Sequence, residues 1–294
     1  MKGMIAALVT PWDPAGGIDM GGLERLVERV IGGGADGISP GGSTGEGAML
    51  TPMQRAQLTR RVRELTPAAM PVISGLPLRT PAEGIAELHA LAEAGATAAL
   101  VGPPTYYPLS DDAVRRLYAE LADAAPLPLV LYCIPRFTKV TFSPPVVREL
   151  AAHSNIIGIK DSSRDLEYQQ ELIAVTAGQE FSVITGTDTL LVASLAMGVA
   201  GTIAASVNLV PGLVKNIFEH YDDEDVAKAN ALQHELTHLV MACRGGYFPA
   251  GWKAALQLAG VCDRQPVPPG TPFTDEQVEK LRGEITDHLA ATAA

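Results

Sequence analysis

The sequence predicts an α/β fold, a (β/α)8 TIM barrel with a C-terminal three-helix extension, on three observations. Short apolar runs alternate eight times with longer helical patterns. Most of these runs are apolar throughout, as expected of parallel strands buried on both faces. After about residue 220 the strands stop and helical patterns alone continue. An open doubly wound sheet shares these periodicities, and eight strand–helix units fit the closed form better. No GxGxxG fingerprint follows the first strand.

The first strand is IAALVT (5–10), and Leu23, Leu26, Val27 and Val30 then recur at helical spacing. GISPGG (37–42) is the second strand, after which Thr51-Pro52 reads as an N-cap with proline at the first helical position. PVISGL (71–76) is the third, and Thr80-Pro81 repeats that device, with Glu83 suited to the positive helix end. Gly95 closes a helix before the fourth strand, ATAALVG (96–102), and Ser110 opens the next helix ahead of Asp111 and Asp112. PLVLYC (128–133), IIGIKD (156–161), FSVITG (181–186) and GTIAAS (201–206) complete the set, with Gly198 ending the helix before the last. Residues 1–220 are expected to form the barrel that carries the chemistry. Residues 221–294 are expected to pack on it as helices, the first a single helix from Tyr221 to Cys243.

A chain of 294 residues, 47% apolar and 19% charged, is long enough for a large core in one domain. Thirty-three acidic against 22 basic residues give a formal charge of −11, which argues against a nucleic-acid partner. It does not argue against a small anionic substrate, because local charge in a cleft can oppose the global charge. Cys133, Cys243 and Cys262 are odd in number and lack a CxxC pair, so neither a disulfide scaffold nor a structural zinc site is expected. The start MKGMIAALVTPWDP meets a proline and an acid too soon for a signal peptide, and no apolar run reaches the length of a membrane span. The cytoplasm is the expected location.

In such a barrel the chemistry sits at the C-terminal ends of the strands. Lys160 ends the sixth strand in IIGIKDSS. Partial desolvation there favours the neutral amine, which attacks carbonyls; the other reading is a lysine paired with Asp161 or another carboxylate. Tyr132, near the end of the fifth strand, is either a proton relay or a core tyrosine. The loop GGSTGEG (41–47) after the second strand offers backbone amides plus the hydroxyls of Ser43 and Thr44 to an anion. Alternatively it is a tight turn tied down by Glu46. PPTYYPLS (103–110) places Tyr106 and Tyr107 in a rigid aromatic loop, for this chain's site or a neighbour's. His234, Glu235 and His238 spell HExxH, the spacing of zinc metalloproteases. The motif lies in the terminal helical region with no third ligand marked, so it reads as the polar face of an amphipathic helix and no metal site is expected.

Taken together, GGSTGE (41–46), PPTYYP (103–108), YCIP (132–135) and GIKDSS (158–163) resemble the dihydrodipicolinate synthase and N-acetylneuraminate lyase family over roughly residues 3 to 290. The resemblance implies a homotetramer of tight dimers and a class I aldolase-type mechanism without cofactor. Lys160 would condense with the keto carbon of pyruvate or a related 2-oxo acid. Ser43 and Thr44 would hold the carboxylate, Tyr132 would shuttle protons, and Tyr106 would cross from the neighbouring subunit. The carbonyl of Ile203 would face the substrate. Two departures bear on the substrate. The synthase branch places an arginine two residues beyond its YNxP tetrapeptide, where this chain has Phe137, with Arg136 one residue earlier and Cys133 in place of asparagine. The lyase branch carries an acidic pair and a serine where this chain has Asp188, Thr189 and Ala205. An aldolase or dehydratase for another hydroxylated 2-oxo (sugar) acid is therefore an alternative, with Phe137 and Lys139 shaping the distal pocket. A non-catalytic 2-oxo acid-binding barrel is a second alternative.

Overall fold

The computed structural model describes residues 1–290, so the last four positions of the expected extension lie outside the described residues. Among the described residues eight strands form one sheet: β1 (Gly3–Ala7), β2 (Gly37–Ser39), β3 (Ile73–Pro77), β4 (Ala98–Gly102), β5 (Leu129–Cys133), β6 (Ile156–Asp161), β7 (Ser182–Thr185) and β8 (Gly201–Ala204). The order is β2-β1-β8-β7-β6-β5-β4-β3 and the paired strands are parallel. A single parallel bridge, Ile38 to Val72, joins β2 to the start of β3 and closes the barrel. The amides of Ile38 and Gly75 reinforce it by donating to the carbonyls of Pro71 and Pro40 at 3.0 and 2.8 Å.

The helices are α1 (Met20–Gly32), α2 (Pro52–Leu65), α3 (Pro81–Glu93), α4 (Asp111–Ala124), α5 (Pro135–Thr138), α6 (Pro144–Ala151), α7 (Leu166–Val175), α8 (Leu191–Met197) and α9 (Pro211–Asp222). The extension adds α10 (Val226–Ala242), α11 (Ala250–Leu258) and α12 (Asp275–Ala290). Their starts follow side-chain chemistry. Thr51 forms a full capping box with Gln54, and the side chains of Asp19, Thr80, Ser110, Asp165 and Asp225 each accept an amide in the first turn. Each cap contributes on the order of 1 kcal/mol.

Alternation along the strands splits the core. Ile5, Ile73, Leu100, Val130, Ile184 and Ile203 point into the barrel, while Leu76, Val101, Leu131 and Ile159 point out against the helices. That is why β4 and β5 are buried at every position. Truncating one such side chain, Leu100→Ala, is expected to cost about 2–5 kcal/mol. A further cluster joins Leu23 and Leu26 of α1 to Leu236 and Leu239 of α10, Trp252 of α11 and Leu281 of α12.

Several expected bounds shift, β2 ending at Ser39 instead of Gly42 and β8 at Ala204 instead of Ser206, and two further changes have a clear cause. The first strand ends at Ala7, not at Thr10: the Leu8 amide still donates to the Ser39 carbonyl at 3.0 Å, but Asn208 Oδ1 accepts the Val9 amide at 3.1 Å. The single helix expected from Tyr221 is two. α9 ends at Asp222, Glu224 adopts a left-handed φ of 62°, and Asp225 caps α10.

Candidate active site

Lys160 and Tyr132 sit side by side across β5 and β6, where they are register partners. Both point into the barrel and are 5% and 7% exposed. The Lys160 Nζ lies 4.6 Å from the centre of the Tyr132 ring. Among the described residues this amine has no carboxylate partner. The pairing with Asp161 that the sequence left open is not made, because the next residue of a strand faces the other way. Asp161 turns to the helical layer, where its carboxylate accepts from the Ser163 amide at 2.9 Å and Gln169 Nε2 at 3.2 Å. Burial raises its carboxyl above the usual range. Cys133 also faces that layer. Burial pushes its thiol up to about 11, with Tyr168 donating to its sulfur.

Gly186 makes room for the lysine. A methyl there would overlap Ser162 Oγ and lie 2.6 Å from Lys160 Cε.

The loop 41–47 faces this pair. Tyr132 donates to Ser43 Oγ at 3.4 Å, so the phenol spans from β5 to the loop after β2. The loop lies so close to β3 that a methyl at Gly75 would stand 2.5 Å from Gly42 N. Among the described residues the amides of Ser43 and Thr44 donate to no protein acceptor. Free backbone donors of this kind are suited to an anion.

Three side chains fix the loop. Thr10 Oγ1 donates to the Gly45 carbonyl at 2.7 Å. Arg55, itself paired with Glu87 at 2.9 Å, donates to the Gly47 carbonyl at 2.7 Å. Glu46, at a left-handed φ of 56°, turns inward to accept from Trp12 Nε1 at 2.9 Å and the Val267 amide at 2.7 Å. It also pairs with Lys253 of α11 at 2.5 Å. The tie-down reading of Glu46 and the anion-nest reading of its neighbours are thus compatible.

A cavity of about 110 Å³ opens over Lys160, lined by Ser43, Thr44, Tyr132, Ile203 and Asp188, with Arg136 and Phe137 further out. Ile203 contributes from β8 opposite Ile5 of β1. One carboxylate oxygen of Asp188 accepts the Ser206 amide at 2.8 Å. Arg136 and Phe137 are exposed on α5, with the guanidinium carbon 5.5 Å from the phenyl centre. Phe137 in turn packs on Phe248 at 5.7 Å. Tyr106 is not brought into this cavity. It is 87% exposed and meets Tyr107 edge to face at 4.9 Å. His234, Glu235 and His238 are exposed on α10, and Glu235 lies 3.4 Å from His288.

Sequence reasoning missed Ser162, Arg164, Gly186 and Arg244, which also line the cavity. Ser162 and Arg164 stood within reach, two and four positions past the strand-end lysine. Arg244 carried no local signal, since it reaches the site from the turn after α10.

A closed parallel barrel with a buried strand-end lysine that has no carboxylate partner among the described residues, a phenol beside it and a hydroxyl-bearing loop opposite defines a protein of the class I aldolase type. The chain belongs to the dihydrodipicolinate synthetase family, whose sequence profile matches residues 1–288. It is 32% identical over 289 residues to a 4-hydroxy-tetrahydrodipicolinate synthase of Methanoculleus marisnigri, covering 98% of this chain and 99% of that one. It is 35% identical over 283 residues to the synthase of that name from Thermus thermophilus, with 96% and 94% covered. Among solved structures, YagE, a prophage protein of the dihydrodipicolinic acid synthase family from E. coli K12 in complex with pyruvate, superposes with a TM-score of 0.92. The two are 28% identical, with 98% of each chain covered.

Proposed function

We propose that this chain is a lyase or synthase in which Lys160 forms a Schiff base with pyruvate or a related 2-oxo acid. The observation that carries this reading is the Lys160 amine, buried beside the Tyr132 ring without a carboxylate partner among the described residues. The amine adds to the keto carbon and the carbonyl oxygen leaves as water. The protonated imine then withdraws electrons from the adjacent carbon, so an enamine forms and attacks an electrophile. In reverse, the same imine lets that carbon leave. The imine is the electron sink, and the reading asks for no cofactor.

Tyr132 moves protons between the substrate oxygens and Ser43 or Thr44. The hydroxyls and amides of Ser43 and Thr44 hold the carboxylate, and the Ile203 carbonyl faces the substrate from β8. Tyr106 completes the relay from the neighbouring subunit of a tight dimer, two of which make the homotetramer, a role in keeping with its exposure and its place outside its own cavity. Residues 1–220 carry the imine chemistry, and the described residues of the extension, 221–290, brace the barrel and add Arg244 to the cavity wall. The pyruvate bound by YagE supports the choice of first substrate.

Arg136, Phe137 and Asp188 shape the distal wall. Because Arg136 and Phe137 are exposed at the cavity's edge while Asp188 is buried in its wall, an aldolase or dehydratase for a hydroxylated 2-oxo acid is a second reading. Borohydride reduction with pyruvate is expected to leave a mass adduct on Lys160 that Lys160→Ala lacks. Folded protein with no adduct would sink the mechanism. Aspartate semialdehyde condensation, compared with cleavage of hydroxylated 2-oxo acids, separates the two readings. A merely binding barrel would take up pyruvate without exchanging its methyl protons into heavy water.

A further inference from the structure

Three guanidinium groups line the cavity over Lys160 and have no part in the imine chemistry. Arg136 comes from α5, Arg164 from the loop after β6 and Arg244 from the turn after α10. Asp188 is the one acid lining that cavity among the described residues, and the Ser206 amide already occupies one of its oxygens. The chain as a whole carries a formal charge of −11. The field in this cleft therefore runs against that of the protein.

The arginines have been gathered at a cost. Like charges facing one pocket repel, and Arg244 is half-buried as well. Burial, first, and then the Arg164 and Arg136 guanidiniums draw the Arg244 group below its usual range, while Asp188 opposes them. Elsewhere Arg61, Arg115 and Arg116 each meet a carboxylate. Among the described residues Arg136, Arg164 and Arg244 do not. Arg244 has only neutral partners, Thr189 Oγ1 at 3.4 Å and Met241 Sδ at 3.3 Å. Arg164 holds a left-handed φ of 69°, a conformation that disfavours residues other than glycine.

Position around the barrel adds direction. The loop of Ser43 and Thr44 follows β2, whereas Arg164 follows β6. Four steps along the eight-strand order separate these strands, so they lie across the barrel from each other. One anionic group has a place on the β2 side; Arg164 stands on the β6 side, and Arg244 meets Thr189 in the segment after β7.

We propose that Arg164 and Arg244, with Arg136 at the edge, form an anion subsite for the far end of the substrate, which carries a carboxylate or a phosphate rather than a neutral hydroxylated tail. The proposal rests on the reading of Lys160 as the imine-forming residue. Guanidinium forks match both anions with paired hydrogen bonds.

The test is a panel of aldol 2-oxo acids identical at the reacting end and ending in hydroxyl, carboxylate or phosphate. Wild-type kcat/KM for pyruvate release should favour a charged end by about 100-fold, the worth of two charge-assisted hydrogen bonds. Carboxylate and phosphate arms name the anion. In Arg164→Gln/Arg244→Gln the preference should fall below about threefold, carried mainly by KM, and Arg244→Lys should keep part of it. If the double variant fails to fold, Arg164→Gln alone, on an exposed loop, should lose about tenfold. A turnover-independent readout uses phenylglyoxal, whose labelling of Arg164 and Arg244 should be slowed by the charged-ended acids and not by the hydroxyl-ended one. Equal kcat/KM for charged and neutral ends, a preference that survives in the double variant, or equal labelling would overturn the subsite. Failure of the imine reading shows separately, as absence of a wild-type Lys160 adduct with pyruvate, which has no far end.

Discussion

Glu46 and Lys253 form an ion pair at 2.5 Å with side-chain exposures of 1% and 0%, linking the cavity-lining loop after β2 to α11 of the extension. The loop's position is therefore set in part by helices far along the chain. The same carboxylate accepts from Trp12 and Val267, and Lys253 also donates to the Gln265 carbonyl at 2.9 Å.

Removing one partner should do more damage than removing both. Lys253→Met leaves a buried carboxylate uncompensated and should cost about 3–5 kcal/mol in urea unfolding. Adding Glu46→Gln, which keeps an acceptor for Trp12 and Val267, should recover at least about 1 kcal/mol. Additive losses would show that the pair is not coupled. Because Ser43 and Thr44 ride on this loop, KM for the 2-oxo acid should rise about tenfold in Lys253→Met.

Gly186→Ala tests the space around the lysine. The added methyl would crowd Ser162 Oγ and Lys160 Cε. Borohydride trapping of pyruvate should slow by about 10- to 100-fold, since small displacements of a reacting group are costly. An unchanged trapping rate would mean that Lys160 does not depend on this gap.

Subunit exchange tests the assignment of Tyr106. Tyr106→Ala and Lys160→Ala should each be nearly inactive alone. Hybrids formed by dissociating and reassociating the two should regain roughly a quarter of wild-type activity, because one site of each mixed pair is then complete. If Tyr106 serves its own subunit, both sites of the hybrid lack a residue and mixing restores nothing.

The Cys133 thiol titrates at about 11 instead of 9.0, chiefly because it is buried. It should react slowly with a disulfide reagent at pH 8 and fast once the chain unfolds. Between pH 9 and about 11 the native state keeps the proton that the unfolded state loses, so stability should fall as pH rises through that window. Cys133→Ala should flatten the slope. Cys262, pushed up to about 12 by burial, adds to the fall at the upper end.

The barrel was legible because its signals are local. Strands buried on both faces read as continuous apolar runs, as in LVLYC, and helix starts are written in Thr51-Pro52, Thr80-Pro81 and Ser110. Strand ends were less legible. Val9 is buried and apolar yet outside β1, its amide taken by Asn208, because apolar character reports burial and not ladder pairing.

By itself the sequence determined the eight strand–helix units, the helical extension and the strand-end positions of Lys160 and Tyr132. Periodicity and capping depend on near neighbours, and strand alternation decides which way a side chain faces. Only the tertiary structure decided that the barrel closes at Ile38 and Val72, that Lys160 pairs in register with Tyr132, and that Glu46 reaches Lys253. It alone brought Arg136, Arg164 and Arg244 to one cavity. These are meetings of residues distant in the chain, and no local propensity encodes them. They follow from how the strands close and how the last helices pack across the barrel.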